Sequence, residues 1–219
     1  MDAEAFVRQL VSENDEILRR LAPAQALRAE SGGDLNPQRL LRIALKNEIE
    51  ASEIAALWMP HAAGAELKLA LARQAGDEAR HYRLIEERLH ALGDDLAGYD
   101  PLAPGYSPMF QFLAGLKSDV ERVAAGQFTR EAIALARNAQ FIELCDMTGD
   151  HQTARLYRDV IQPDERFHHE LGVRFLERLA TGDEAQGLAQ GARARTIELA
   201  EELQTLAFKR SGIHHAPGC

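Results

Sequence analysis

The chain has 219 residues, 46% hydrophobic and 27% charged, enough for a sizeable core, and its net charge of −9 comes with no lysine or arginine run. That balance advertises no nucleic-acid surface, no apolar run approaches the roughly 18 residues of a membrane span, and Met1-Asp2-Ala3-Glu4 lacks a signal-peptide pattern. Two cysteines, Cys145 and Cys219, make no disulfide framework, and a composition rich in alanine and leucine and poor in β-branched residues predicts an all-α, cytoplasmic protein.

Residues 3–29 read as a first helix, with Phe6, Leu10, Ile17, Leu18 and Leu21 on one side and Pro23 as a break point. The loop from Ser31 ends in a helix start, with Asn36 as N-cap and Pro37 at the first helical position. A helix over 38–59 stops at Pro60-His61-Ala62-Ala63-Gly64, and one over 65–92 stops at Gly93. The short turn between them makes them antiparallel neighbours. Residues 93–107, with Pro101 and Pro104, have no periodicity. At about 3.3 Å per residue they reach roughly 50 Å, enough to cross a bundle from end to end.

Helices follow over 108–125 and 127–147, broken at Gly126 or continuous through it, and Thr148-Gly149-Asp150 is a turn. A helix over 151–180 contains Pro163, which is expected to kink it. After Thr181-Gly182-Asp183 a last helix covers 184–210, and 211–219 is a tail whose His214 and His215 are not ligand candidates. The organisation expected is one domain, 1–219: a core of two hairpins joined by a long crossover over about 38–180, with flanking helices at 3–29 and 184–210.

Chemistry is carried by a repeat. Asp77-Glu78-Ala79-Arg80-His81 and Asp164-Glu165-Arg166-Phe167-His168 share the order Asp-Glu-x-x-His, 87 residues apart. On a helix, positions i and i+3 lie on one face, so each Glu and His project together. Helical phase places Glu48 among Leu41, Ala44, Leu45, Ala51, Ser52, Ala55 and Met59, an acid in the middle of an apolar stripe. A buried carboxylate without a partner is costly and calls for a cation. Glu50 and Glu53 fall on the opposite, solvated side. In the fourth helix Glu131 lies with Phe128, Ala134, Leu135, Asn138, Ile142 and Cys145, whereas Glu143 sits about 120° away.

Turn symmetry selects Glu131 as well. Glu48 and Glu78 lie about fifteen residues from a turn near position 63, and Glu131 and Glu165 about seventeen from one near 148. Glu48, Glu78, His81, Glu131, Glu165 and His168 therefore fall at one level of a bundle, the ligand set of a two-metal carboxylate site. Oxygen-rich ligation suits Fe or Mn, and the absence of cysteine argues against structural zinc. Asp77 and Asp164 are placed to hold the imidazoles by hydrogen bonds, with surface ion pairs as the alternative. Asn138 reads as a cavity or core residue, Tyr82 as redox-active or packing, and His169 as a pocket or packing residue rather than a third ligand.

These motifs resemble the ferritin-like superfamily, which includes rubrerythrins, aldehyde-deformylating oxygenases and tRNA-modifying hydroxylases. The resemblance covers about 38–180, with the six residues at its ligand positions. More locally, Asp77–Tyr82, Arg88-Leu89, Leu92-Gly93, Gly149-Asp150, Asp164-Glu165 and Gly172 are similar to an uncharacterised ferritin-like family. A rubredoxin module is missing, since two distant cysteines cannot build one. The resemblance implies a four-helix bundle with additional terminal helices, holding two Fe ions, or Fe/Mn or Mn/Mn. It implies an oxidoreductase that uses O2 or H2O2 on a small organic substrate with an electron donor. Ferroxidase or peroxide-scavenging activity is the alternative, and a structural metal-binding bundle a second; the extra helices would wall a pocket or form a homodimer interface.

Overall fold

The computed structural model describes residues 1–21 and 37–211, and every regular element among them is helical. Helix α1 spans Ala3–Leu21, α2 Pro37–Trp58, α3 Ala65–Ala91 and α4 Pro108–Gly115. Helix α5 runs continuously over 119–148 as Asp119–Val123, a π-helical stretch Ala124–Arg130, and Glu131–Thr148. Helix α6 runs over 151–179 in the same way, as His151–Leu156, a π turn Tyr157–Ile161, and Gln162–Leu179. Helix α7 is Asp183–Ser211. The expected break at Pro23, the Asn36 cap and the tail histidines lie outside the described residues.

Punctuation residues set most of these ends. Pro37 opens α2, where its missing N–H costs nothing. Gly149 closes α5 in the left-handed region at φ 82°, which residues with a Cβ avoid. Met59 falls past the end of α2 in a single 3-10 turn and is exposed, contrary to its phase.

The break sought at Gly126 lies instead at Leu116-Lys117-Ser118. There Ser118 accepts the Glu121 N–H and the Glu121 carboxylate accepts the Ser118 N–H at 2.9 Å, a closed capping box that starts a new helix. Gly126 sits inside α5 because Trp58 needs the space: a Cβ there would lie 2.7 Å from the indole. Ahead of Pro163, which lacks the N–H for the carbonyl four residues back, α6 widens into its π turn rather than stopping.

Contacts at the helix ends fix the topology. Gln38 donates to the Leu92 carbonyl at 2.7 Å, placing the end of α3 beside the start of α2. The Ala63 N–H donates to Asp119 at 2.7 Å, so α5 begins at the α2–α3 turn. Arg88 reaches Thr153, Gln152 and Asp150 near the α5–α6 turn, and Arg178 pairs with Glu66 at the opposite end. Thus α2 and α6 point one way and α3 and α5 the other.

The connection between α3 and α4 travels the length of α2, as its reach allows. Asp94 pairs with Arg42, the Tyr99 hydroxyl donates to the Arg42 carbonyl at 2.9 Å, and Lys46 donates to the Gly105 carbonyl. Ser107 then donates its N–H to Glu50 at 2.8 Å. Glu50 is consequently buried, not solvated, because the crossover covers a face that helical phase alone assigns to water.

The apolar core is divided in two. On the α2–α3-turn side Ile54, Trp58, Leu67, Leu71, Phe128 and Phe175 pack together, extended by α1 and α7. On the other side Leu41, Leu45, Ile85, Leu89, Phe141 and Ile161 form a second cluster. Between them lies a layer of buried polar side chains. No described helix is long and apolar enough to cross a membrane.

Candidate metal centre

That layer holds all six expected ligands, each 0–2% exposed. Glu48 comes from α2, Glu78 and His81 from α3, Glu131 from α5, and Glu165 and His168 from α6. They form two overlapping groups. Glu48, Glu78, His81 and Glu165 each offer a ligand atom within 4.8 Å of the others, and so do Glu78, Glu131, Glu165 and His168. Glu78 and Glu165 belong to both groups. Glu143 is exposed on α5, which leaves Glu131 as that helix's contribution.

Each imidazole faces the carboxylates with Nδ1. His81 Nδ1 lies 3.1 Å from Glu78, 3.5 Å from Glu48 and 4.0 Å from Glu165. His168 Nδ1 lies 3.4 Å from Glu78 and 3.5 Å from Glu165. The outer nitrogens are held by the two aspartates, in crossed fashion. His81 Nε2 lies 3.0 Å from Asp164, the aspartate of the other motif, and His168 Nε2 lies 3.1 Å from Asp77. Arg80 pairs with Asp164, while Arg73 pairs with Asp77 at 3.3 Å and stacks 3.6 Å over the Phe167 ring. A proton shared between Nε2 and its aspartate leaves Nδ1 a lone pair for a cation.

The charges are strongly coupled. Burial pushes Glu48 up to about 7, against the hydrogen bond from His81. Burial likewise raises Glu165 well above the carboxylate range, assisted by repulsion from Glu78 and Glu131. Burial acts on Glu78 in the same sense, but the facing imidazoles of His168 and His81 outweigh it and hold Glu78 well below its ordinary value. Desolvation disfavours the imidazolium of His81, yet Glu48 and Glu78 drive it up to about 12. His168 moves the same way, with Asp77, Glu165 and Glu78 overcoming desolvation. Asp77 is lowered despite its burial, by His168 and Arg73.

The donor set fits a metal site on its own terms. Glu48 Oε1, Glu165 Oε2 and His168 Nδ1 are buried without a hydrogen-bond partner. A buried polar atom left so costs about 1–3 kcal/mol. All three belong to the clustered groups, where one cation would contact several of them at once.

Other polar residues sort differently. Tyr82 is half-buried, packed against the second apolar cluster with Glu86, Asp100 and Arg83 nearby, so of its two readings packing is the one the structure shows. Phase puts it about 40° from Glu78, but it stands a full turn further along α3. The tyrosine near the centre is Tyr157, wholly buried with an unpartnered hydroxyl, which burial and the charges of Glu48 and Glu165 push well up. Its place in the stripe Tyr157, Ile161, Glu165, His168 was the available signal. Asn138 is buried in α5. His169 donates Nδ1–H to the Phe128 carbonyl at 2.9 Å and is not a ligand.

Gln74 and Gln127 were not singled out by the sequence, although Gln74 continues the stripe Leu67, Leu71, Glu78, His81. Gln74 Nε2 donates to Glu131 Oε1 at 2.7 Å, and Gln127 Nε2 donates to Gln74 Oε1 at 2.7 Å. No protein-family model, curated protein or solved structure matches the chain.

Proposed function

We propose that this chain is a ferritin-like oxidoreductase with a two-metal carboxylate centre of two Fe ions, or of Fe/Mn or Mn/Mn. One observation carries the reading: the two four-residue ligand groups share Glu78 and Glu165. In that arrangement Glu48 and His81 serve one ion, Glu131 and His168 the other, and Glu78 and Glu165 lie between them. The up–down–down–up order of α2, α3, α5 and α6, with one long crossover, supports the ferritin-like assignment. Six oxygen- and nitrogen-donating side chains without sulfur favour Fe and Mn.

When bound, such a pair of ions supplies two-electron chemistry with O2 or H2O2. The protein's own part is to hold the ligands, fix both imidazoles through Asp77 and Asp164, and keep water out with apolar clusters above and below. A small organic molecule is the substrate on this reading, with an electron donor to restore the reduced ions. Ferroxidase or peroxide-consuming activity is a second reading, favoured by the enclosure of the ligands. The groove lined by Leu18, Ala136 and Glu143 includes none of the six.

Metal analysis of the purified protein tests the centre and is expected to find about two Fe or Mn per chain. Glu131→Ala lowers that content and Glu143→Ala does not; a single zinc, or no metal, overturns the proposal. Anaerobic loading with Fe(II), followed by O2 or H2O2 with and without organic substrates, separates the two readings.

A further inference from the structure

The two ends of the centre are built differently. At one end, Glu131 has an oxygen tied by Gln74, and Gln74 is itself held by Gln127. Both glutamines are 4% exposed, and each stands four residues ahead of a ligand on its own helix, Gln74 before Glu78 and Gln127 before Glu131. The equivalent positions before Glu48 and Glu165 are Ala44 and Ile161, both fully buried and apolar. Glu48 Oε1 accordingly has no hydrogen-bond partner. Since the bundle packs around Ala44 and Ile161 without amides, the glutamine pair is not a requirement of the fold.

Gln127 is placed by more than its own contacts. It lies in the π-helical stretch of α5, against which Gly172 of α6 packs so closely that a Cβ would come 2.6 Å from the Gln127 carbonyl carbon. π turns recur at functional sites because the extra residue re-aims a side chain. Helix packing thus sets the π turn, the turn sets Gln127, Gln127 sets Gln74, and Gln74 sets Glu131.

We infer that Gln74 and Gln127 are positioning residues that make the two metal positions unequal, so that the Glu131–His168 position takes an ion first and more tightly than the Glu48–His81 position. The inference rests on the two-metal reading above. A carboxylate already held in one orientation gives up less freedom on binding than one that is free to turn. Glu48, with its untied oxygen, remains the adaptable ligand.

The experiment is a titration of metal-free protein with Co(II), followed by its visible absorption against a competing chelator. Wild type is expected to bind in two resolved steps. Glu131→Gln should abolish the tighter step, and Glu48→Gln the weaker one. Gln74→Leu should weaken the tighter step by about 10- to 100-fold, the usual effect of removing a residue that holds a ligand, and leave the weaker step in place. Gln127→Leu provides a second, more distant perturbation that should weaken the same step. Two ions bound with one affinity in wild type, or tighter binding untouched in both glutamine variants, would overturn the inference while leaving the two-metal centre standing. Binding of no more than one ion by wild type would instead remove the reading on which it rests.

Discussion

Gly172→Ala tests the link between packing and the centre most directly. In an ordinary helix interior the change stabilises, since alanine exceeds glycine by about 1 kcal/mol in helix propensity. Here the added Cβ would meet the Gln127 carbonyl carbon and the Phe128 nitrogen, both at 2.6 Å. Both are backbone atoms in a wholly buried stretch, so no flexible side chain can swing aside. To reach an ordinary carbon contact of about 3.5 Å the two helices must part by roughly 1 Å. Overpacking of this kind costs about 1–3 kcal/mol, and an unyielding neighbour places it at the upper end. Less the propensity gain, the net loss is about 1–2 kcal/mol, or roughly 2–8 °C in melting temperature for a chain of this size.

Gly187→Ala supplies the control. It lies in α7 with nothing within 4 Å of its added Cβ, and should raise the melting temperature by about 2–4 °C. Displacement of the π turn also carries Gln127 and Glu131 off their positions by more than the ~0.5 Å that a ligand constellation tolerates, so Gly172→Ala should lose metal. Circular-dichroism melts and metal analysis of the two variants decide. If Gly172→Ala melts as high as Gly187→Ala and keeps its full metal content, the close approach of α6 to the π turn does not position the ligands.

Two further outcomes follow from the geometry. Asp164→Asn removes the carboxylate from His81 Nε2 and should weaken metal binding about 10- to 100-fold, and Asp77→Asn should do the same through His168; unchanged chelator competition in both would contradict the crossed support. For pH, burial raises Glu48 from 4.5 to about 7 and also raises Glu165. A carboxyl whose folded pKa exceeds its unfolded value contributes stability below the unfolded pKa that is lost as pH rises through the folded one. The metal-free protein should therefore become less stable across about pH 4.5–7, while metal binding, which displaces these protons, tightens. Melts and chelator competition at several pH values check both signs, and metal affinity that is flat over that range would refute the proton displacement.

The hairpins were legible because proline and glycine mark their ends and because a period of 3.6 runs unbroken through α2 and α3. The buried cluster of six was legible because burying an acid in an apolar stripe is costly enough to stand out. What escaped depends on the third dimension. Glu50 looks solvated until the crossover is laid over it. Phase arithmetic assumes 100° per residue, and two π turns break that assumption just ahead of Glu131 and Glu165. The Ser118–Glu121 capping box was readable, but Gly126 drew attention as the conventional helix breaker when its role is to admit Trp58. Tyr82 adjoins the first motif in sequence, yet Tyr157, one stripe step before Ile161, is the tyrosine that burial brings near the ligands.

The crossing of the aspartates ties the two copies of the motif together. Within one helix Asp77 stands four residues before His81, about 40° away and on the same side, yet its carboxylate lies against His168 of the other motif instead. Across the α3–α6 contact each aspartate reaches over to the other helix's imidazole. Docking of the two hairpins is thus what brings each imidazole the aspartate it contacts. The first-helix glutamates show no such exchange, and there the halves differ: Glu131 accepts from the Gln74 amide, whereas Glu48 meets His81 through one oxygen and leaves the other, Oε1, without a hydrogen-bond partner. The repeat is thus symmetric in its histidines and unequal in its terminal carboxylates, and it is this inequality that the Gln74→Leu and Gln127→Leu titrations read.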